Sequence, residues 1–502
     1  MTNQMERVDT MNWLLSKKDE HRLALHQYLI THHSKSFLIK DLMAAMGWSR
    51  YLTLQAAQQL NIDCQAQSSQ DFIILSDANR TITLHDLQLI SSAALKGYYL
   101  RQSLKFDLLL DVFLEGVHSN EVIAFRHSSS TTVVRLVKEE VREQLLQQGI
   151  RIADNYQLLG DERQIRTLMI EQIYLAFANS PLPFSQETQQ YVKQVQNDVV
   201  PLLTKRATIK RVLEITIGVW HTRVMNGHHI QPTDEDLLKP TAALQFSAKQ
   251  LMGQFASYLR LRLDLRLRLD PEDTWVDDEL RYDLSVCYAL GIGQTTDYLS
   301  DLTADNRATV TWVVERIGRA YWHYFMRELP EEQKQAIKAL IGPVLIRLCY
   351  FPPYDIQPLP DVDFQMQTYP IHTAFTKQVI HMFTHRFDYS EEQLMGMLFN
   401  PLLSTFIKVF TVADIFPMIT VTIDLIDMPA LENYLTQMVS QWDTLNIKIT
   451  NELTEDTDFY LSNVMISQQI PGFAWQTIPE WSERLALRQK MIDLTMRRFY
   501  KL

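Results

Sequence analysis

The chain has 502 residues, 46% apolar and 10% aromatic, with 48 Lys and Arg against 59 Asp and Glu. That length implies roughly three to five domains, and the apolar content excludes a disordered chain. A formal charge of −11 argues against nucleic-acid binding through a generally basic surface, so any grip on phosphate has to come from a local stripe.

The acid excess lies downstream, since residues 1–165 carry 17 basic and 19 acidic side chains. Cys64, Cys287 and Cys349 are far apart and form no CxxC pair, which suits a reducing compartment and neither a disulfide framework nor a zinc ribbon. Residues 1–20 are polar, without the apolar core of a signal peptide. The longest apolar region, 401–428, is interrupted by Lys408, Asp414, Pro417 and Asp424, so no membrane span is expected. The expected location is the cytoplasm.

From the start, residues 21–33 read as a helix with Leu23, Leu25, Tyr28, Leu29 and Ile30 as apolar positions. Ser36 is expected to cap the next, with Leu38, Ile39, Leu42, Met43 and Met46 inward. Gly47 makes the turn, and Ser49 begins a third helix over 50–60. Trp48 reads as a core anchor, with a DNA contact as the alternative. Residues 71–75 and 81–84 read as a hairpin. Three helices and a hairpin are the plan of a winged helix-turn-helix unit, assigned to residues 1–92.

A second such unit is assigned to residues 93–165. Helices are expected from Leu104, after a Ser119 cap, and over about 131–148, with His127-Ser128-Ser129-Ser130 as the break. Val133, Leu136, Val137, Val141 and Leu145 line one side of the last helix. Ser129, Ser130, Thr131 and Thr132 lie at its start, where hydroxyls and open N–H groups meet phosphates or base edges. Arg135 and Lys138 share a face, which Arg142 continues. A guanidinium binds guanine in two places, whereas an ammonium acts mainly as a point charge. Ser49, Arg50, Tyr51 and Thr53 are the corresponding candidates in the first unit, with fewer charges.

Residues 150–166 then show a short strand pair and Leu158-Leu159-Gly160-Asp161-Glu162-Arg163-Gln164-Ile165-Arg166 leading into a helix. This layout resembles the Mga/AtxA-type regulators of Gram-positive bacteria, in which a second helix-turn-helix is followed by such a lead-in. The expected fold is therefore mainly α and multidomain. Two N-terminal winged or plain helix-turn-helix units precede two all-α bundles and a C-terminal α/β domain.

Helical patterns follow over 166–177, 185–203, 209–225, 242–269, 278–290, 304–328, 331–349, 371–387 and 391–410. The alternating Leu-Arg run at 259–269 is read as helix despite its period of two. The proline-rich segment 351–360 reads as a rigid bridge. The resemblance implies two PTS regulation domains here, at 166–277 and 278–402, whose histidines accept phosphoryl groups from the sugar phosphotransferase system. Candidate acceptors are His221, His228 and His229 in the first, and His372, His381 and His385 in the second. In the aligned pattern a His lies seven residues before an Arg, but with Arg223 in that place the position is Thr216. His381 and His385 stand four apart but lack the HExxH glutamate, so no metal is expected.

The end of the chain changes character. Residues 418–425, 445–450 and 459–466 read as strands, with helices at 429–442 and 481–500, suggesting a parallel α/β unit over 403–502. The resemblance implies a domain similar to the EIIB component of the phosphotransferase system, serving self-association. No Cys follows Cys349, so a terminal thiolate carrier is absent. No nucleophile–base pair, Gly-rich phosphate loop or cofactor motif appears, and no enzyme activity is expected. The expected partners are promoter DNA, a second copy of the chain and a phosphotransferase phosphocarrier protein. The rival readings are an RNA-binding antiterminator and a scaffold that binds no nucleic acid.

Overall fold

The computed structural model describes residues 12–230, 275–290, 304–351 and 362–499, apart from 33, 69, 77–79, 199, 385, 388 and 443. The expected helix at 242–269 with its Leu-Arg run, most of the proline-rich segment, and His385 lie outside the described residues. By its internal contacts the chain divides into two units, 1–303 with 346–356 and 304–345 with 357–502.

In the first unit α1 (Lys17–Thr31) starts where the Ser16 side chain accepts the Asp19 N–H, and it buries Leu23, Leu25, His26 and Leu29. A three-residue strand, β1 (Ser36–Leu38), precedes α2 (Ile39–Met46). Ser36 was expected as a cap, but it pairs with Thr83 of β3 (Thr81–Leu84), and Leu38 is exposed. That pairing joins segments more than forty residues apart, which local pattern does not reveal. Gly47 ends α2 at φ +67, a left-handed position that glycine occupies without strain. α3 (Arg50–Gln65) follows, and β2 (Ile73–Ser76) pairs antiparallel with β3, which is the middle strand. Trp48 is half-buried against this core and meets His21 edge-on at 4.9 Å.

Four further helices are α4 (Ser92–Leu100), α5 (Leu104–Phe113), α6 (Asn120–Arg126) and α7 (Thr131–Gln147). Phe106, Phe113, Ile123, Val134, Val141 and Leu145 close their shared core; each such burial is worth roughly 1.5–3 kcal/mol. The short antiparallel pair β4 (Arg151–Ile152) and β5 (Leu158–Leu159) leads into α8 (Glu162–Phe177), capped by Asp161. Helix α4 approaches α8 so closely that a Cβ on Gly97 would stand 2.1 Å from the Leu175 carbonyl oxygen. Helices α9 (Gln186–Asp198), α10 (Val200–Leu203), α11 (Ala207–Met225) and α12 (Trp275–Ala289) complete the described part of this unit.

The second unit contains α13 (Ala304–Phe325), most of α14 (Glu331–Tyr350), α15 (Val362–Thr368), α16 (Pro370–Phe383), α17 (Glu391–Val409) and α18 (Val412–Ile415). Tyr321, Phe325, Phe375, Phe406 and Phe410 stack their rings where α13, α16 and α17 meet. Strands β6 (Ile419–Ile423), β7 (Ile447–Thr450), β8 (Phe459–Ser462) and β9 (Gly472–Ala474) form a parallel sheet in the order β7-β6-β8-β9. Helix α19 (Pro429–Ser440) joins β6 to β7, and α20 (Trp481–Phe499) ends the unit. All five residues of β6 are buried, which is why this strand reads as a continuous β-branched run. β8 stops at Ser462, short of the expected 466, and β9 has no counterpart in the sequence reading. Among the described residues no helix is long and apolar enough to cross a membrane.

Candidate nucleic-acid interface

Helix α7 owes its start to Ser130, whose hydroxyl accepts the Val133 N–H at 3.2 Å. The N–H groups of Thr131 and Thr132 have no partner within the helix and face outward, as at any helix start. The turn before it is held from below. His127 donates or accepts through Nε2 at 2.9 Å from Asp111 and lies through Nδ1 at 3.2 Å from Asp107, both on α5. Ser128 takes a left-handed φ of 49, which redirects the chain between α6 and α7.

Burial then sorts the side chains of α7. Val134, Lys138, Val141 and Leu145 face inward, whereas Ser130, Thr131, Thr132, Arg135 and Leu136 are exposed and Ser129 is half-buried. Arg135 makes no ion pair among the described residues. Lys138 departs from the expected face. Its ammonium sits 3.6 Å from the centre of the Tyr156 ring, and burial, the first cause, holds its pKa below the usual lysine range. Tyr156 in turn donates to the Asn120 side chain at 2.7 Å. Lys138 is therefore a joint between α7 and the β4–β5 turn. Arg142 does not extend the stripe freely either, since it pairs with Glu139 at 3.4 Å.

In the first unit Ser49 caps α3 by accepting the Leu52 N–H at 3.3 Å. Arg50 is exposed and Tyr51 is 75% exposed. Thr53, expected at the surface, is buried and gives its hydroxyl proton to the Ser49 carbonyl at 3.0 Å. The outward face of α3 instead carries Gln55 and Gln58 beyond Tyr51. Neither is among the residues expected from sequence; their spacing from Tyr51 (four and seven residues on) is the signal that points to them. Glutamine pairs with adenine in two places in the major groove.

In the Gly160–Arg166 lead-in, Ile165 and Arg166 are buried. A Cβ on Gly160 would stand 2.8 Å from the Gly149 carbonyl oxygen, so the backbone can fold there only without a side chain. Glu162 accepts Arg166 Nε at 2.9 Å and Arg223 at 2.8 and 2.9 Å, and the two guanidiniums hold its carboxyl below the usual range despite burial. Arg166 also grips Glu279 at 2.6 and 3.0 Å, with both side chains fully buried. Glu279 further accepts from Trp220 Nε1 and the Ile230 N–H. One chain of ion pairs thus links α5, α8, α11 and α12, because Arg223 and His228 also reach Glu115 just past α5.

The candidate histidines fall in unlike surroundings. His221 is buried, stacked on Tyr191 at 4.3 Å and 3.1 Å from the Thr188 hydroxyl. His229 is half-buried, stacked on Trp275 at 3.8 Å, and burial lowers its pKa. His372 is buried, 3.2 Å from the Phe410 carbonyl, and its pKa is lowered chiefly by burial. His381 is largely exposed, with Nδ1 3.0 Å from Glu391. Thr216 is buried. Among the described residues no group of His, Cys, Asp or Glu is arranged to hold a metal ion.

Compared with known families, residues 89–172, spanning α4 through most of α8, match the model of the Mga helix-turn-helix domain. The chain carries a Mga helix-turn-helix domain. The match begins before α4 and ends inside α8, so Gly97 and the Glu162–Arg166 lead-in lie within it, while Leu175, which Gly97 packs against, lies just beyond. Helices α6 and α7 and the turn between them lie inside the matched residues. No curated protein matches the chain.

Proposed function

We propose that this protein is a transcription regulator that docks α7 in a major groove of promoter DNA, with residues 1–92 adding a winged-helix contact. The observation that carries this reading is the exposed Arg135, without an ion pair among the described residues, beside the Thr131 and Thr132 hydroxyls inside the Mga helix-turn-helix domain. Arg135 then meets guanine or phosphate, the open N–H groups of Thr131 and Thr132 and the hydroxyls at 129–132 clamp phosphate, and Ser49, Arg50 and Tyr51 contact the backbone beside it. Thr53 and Lys138 act as packing residues in this scheme.

Regions 166–277 and 278–402 act as PTS regulation domains, and 403–502 acts as an EIIB-like module through which two or more copies associate in the cytoplasm. Phosphoryl transfer from a phosphocarrier protein modulates the regulator. His381 is the favoured acceptor because the reaction needs an accessible imidazole nitrogen. The exposed ring, oriented through Nδ1 by Glu391, meets that need. The buried His221 and His372 do not.

The test of DNA reading is a binding assay of the full chain on duplex DNA and hairpin RNA at several salt concentrations. Salt-sensitive retention of duplex, and not of RNA, is expected. Equal retention favours an antiterminator-like role, and no retention of either refutes nucleic-acid binding. Mass spectrometry after incubation with the general phosphotransferase proteins should find one phosphoryl group, on His381. A labelled chain with an unmodified His381 contradicts that assignment.

A further inference from the structure

The outward face of α7 has a feature that attraction to phosphate does not explain. Leu136 is 59% exposed and Val133 44%. The inner side of the helix is fixed by Val134, Lys138, Val141 and Leu145. At 100° per residue, Thr132 and Leu136 point directly away from that side, with Arg135 on one flank and Val133 on the other. The fold does not need a leucine there, since polar side chains serve equally well on a solvated face.

Charge along the helix narrows what covers it. The first two turns, from Thr131 to Lys138, contain no acidic residue, and Glu139, Glu140 and Glu143 follow only afterwards. The exposed part of those turns therefore combines hydroxyls, one guanidinium and two branched apolar side chains. The major groove presents a matching set, with phosphates along its walls, guanine acceptors on its floor, and one apolar group, the C5 methyl of thymine.

We propose that Leu136, flanked by Val133, reads the methyl group of a thymine in the groove and so fixes sequence preference. This inference rests on α7 being the groove-reading helix. Arg135 supplies charge and a guanine contact, and Leu136 supplies discrimination at a neighbouring base pair. The mechanism is desolvation of one methyl against one isobutyl group, with no hydrogen bond involved.

The experiment uses duplexes recovered by the full-length chain from a random-sequence library. Each thymidine is then replaced in turn by deoxyuridine, which pairs identically and lacks only the methyl. For the unaltered chain, one replacement should weaken binding about three- to tenfold. Leu136→Ala should weaken binding to the thymine duplex by a similar factor and be indifferent to that replacement. Arg135→Ala should bind less tightly yet keep the sensitivity to the methyl. Insensitivity of the unaltered chain to every replacement overturns the proposal while leaving DNA reading intact. So does an equal loss for Leu136→Ala on both duplexes. Dissociation of an oligomer by Leu136→Ala makes this face a self-association surface and also overturns it. If the chain recovers no duplex, the groove-reading role of α7 fails first.

Discussion

Replacing Arg166 by methionine removes a guanidinium that is fully buried and bonded to two carboxylates and one carbonyl. Arg166 meets Glu279 at 2.6 and 3.0 Å, Glu162 at 2.9 Å and the His228 carbonyl at 3.1 Å. Methionine fills most of the volume, so the loss is electrostatic. Glu279 keeps Trp220 Nε1 and the Ile230 N–H as donors but is left as a buried charge without a counterion. Breaking one side of a buried pair costs about 3–5 kcal/mol, most of it the uncompensated charge. Adding Glu279→Gln to Arg166→Met removes that charge and should return about half of the loss, giving a coupling well above 1 kcal/mol in the double-mutant cycle. The assay is urea unfolding of the four proteins, followed by circular dichroism and by Trp fluorescence. A loss below about 1 kcal/mol for Arg166→Met, or strictly additive effects with Glu279→Gln, would refute the reasoning.

Other expectations follow from individual contacts. Gly97→Ala drives a methyl into the Leu175 carbonyl and should lower stability by about 1–3 kcal/mol or more, read as a lower urea midpoint; an unchanged midpoint would show that α4 and α8 part easily. His26 is buried, 3.0 Å from the Ser92 hydroxyl, and burial lowers its pKa from 6.5 to about 4. The unfolded chain therefore binds that proton more readily, so the stability from neutral His26 is complete above about pH 6.5 and lost as pH falls through about 4. Between about pH 7 and pH 5 this amounts to roughly 2 kcal/mol, and His26→Gln should flatten the slope of stability against pH. Lys138→Met should cost about 1 kcal/mol through its lost contact with the Tyr156 ring. It should also leave the salt dependence of DNA binding unchanged, whereas a shallower dependence would return Lys138 to the phosphate contacts.

The helices of the helix-turn-helix domain are legible because capping and periodicity agree there. Ser119 caps α6 as expected, α7 starts at Thr131 directly after the expected break at 127–130, and Leu104–Phe113 is helical as its apolar spacing requires. Side-chain direction was less legible. Arg135 and Lys138 look equivalent as basic residues three apart, but the burial of Val134 and Val141 turns Lys138 inward, and only the folded β4–β5 turn supplies the Tyr156 ring that receives it. Thr53 misled for a similar reason, since a threonine four residues after a cap serves the preceding carbonyl as readily as a ligand. The strand at Ser36 and the fourth parallel strand at Gly472 depend on partners distant in sequence or on a three-residue run too short for a pattern. The lead-in Gly160–Arg166 was noticed as a motif. Its work, tying Arg223 and Glu279 to the domain that contains it, became visible only with α11 and α12 in place.

The central claim is that an acidic chain holds DNA through the exposed start of α7. Its most direct measurement is the slope of log affinity against log salt for the unaltered chain and for Arg135→Ala on one duplex. A slope shallower by about one for the variant, at unchanged urea stability, is predicted. Parallel slopes with equal affinities would contradict the account.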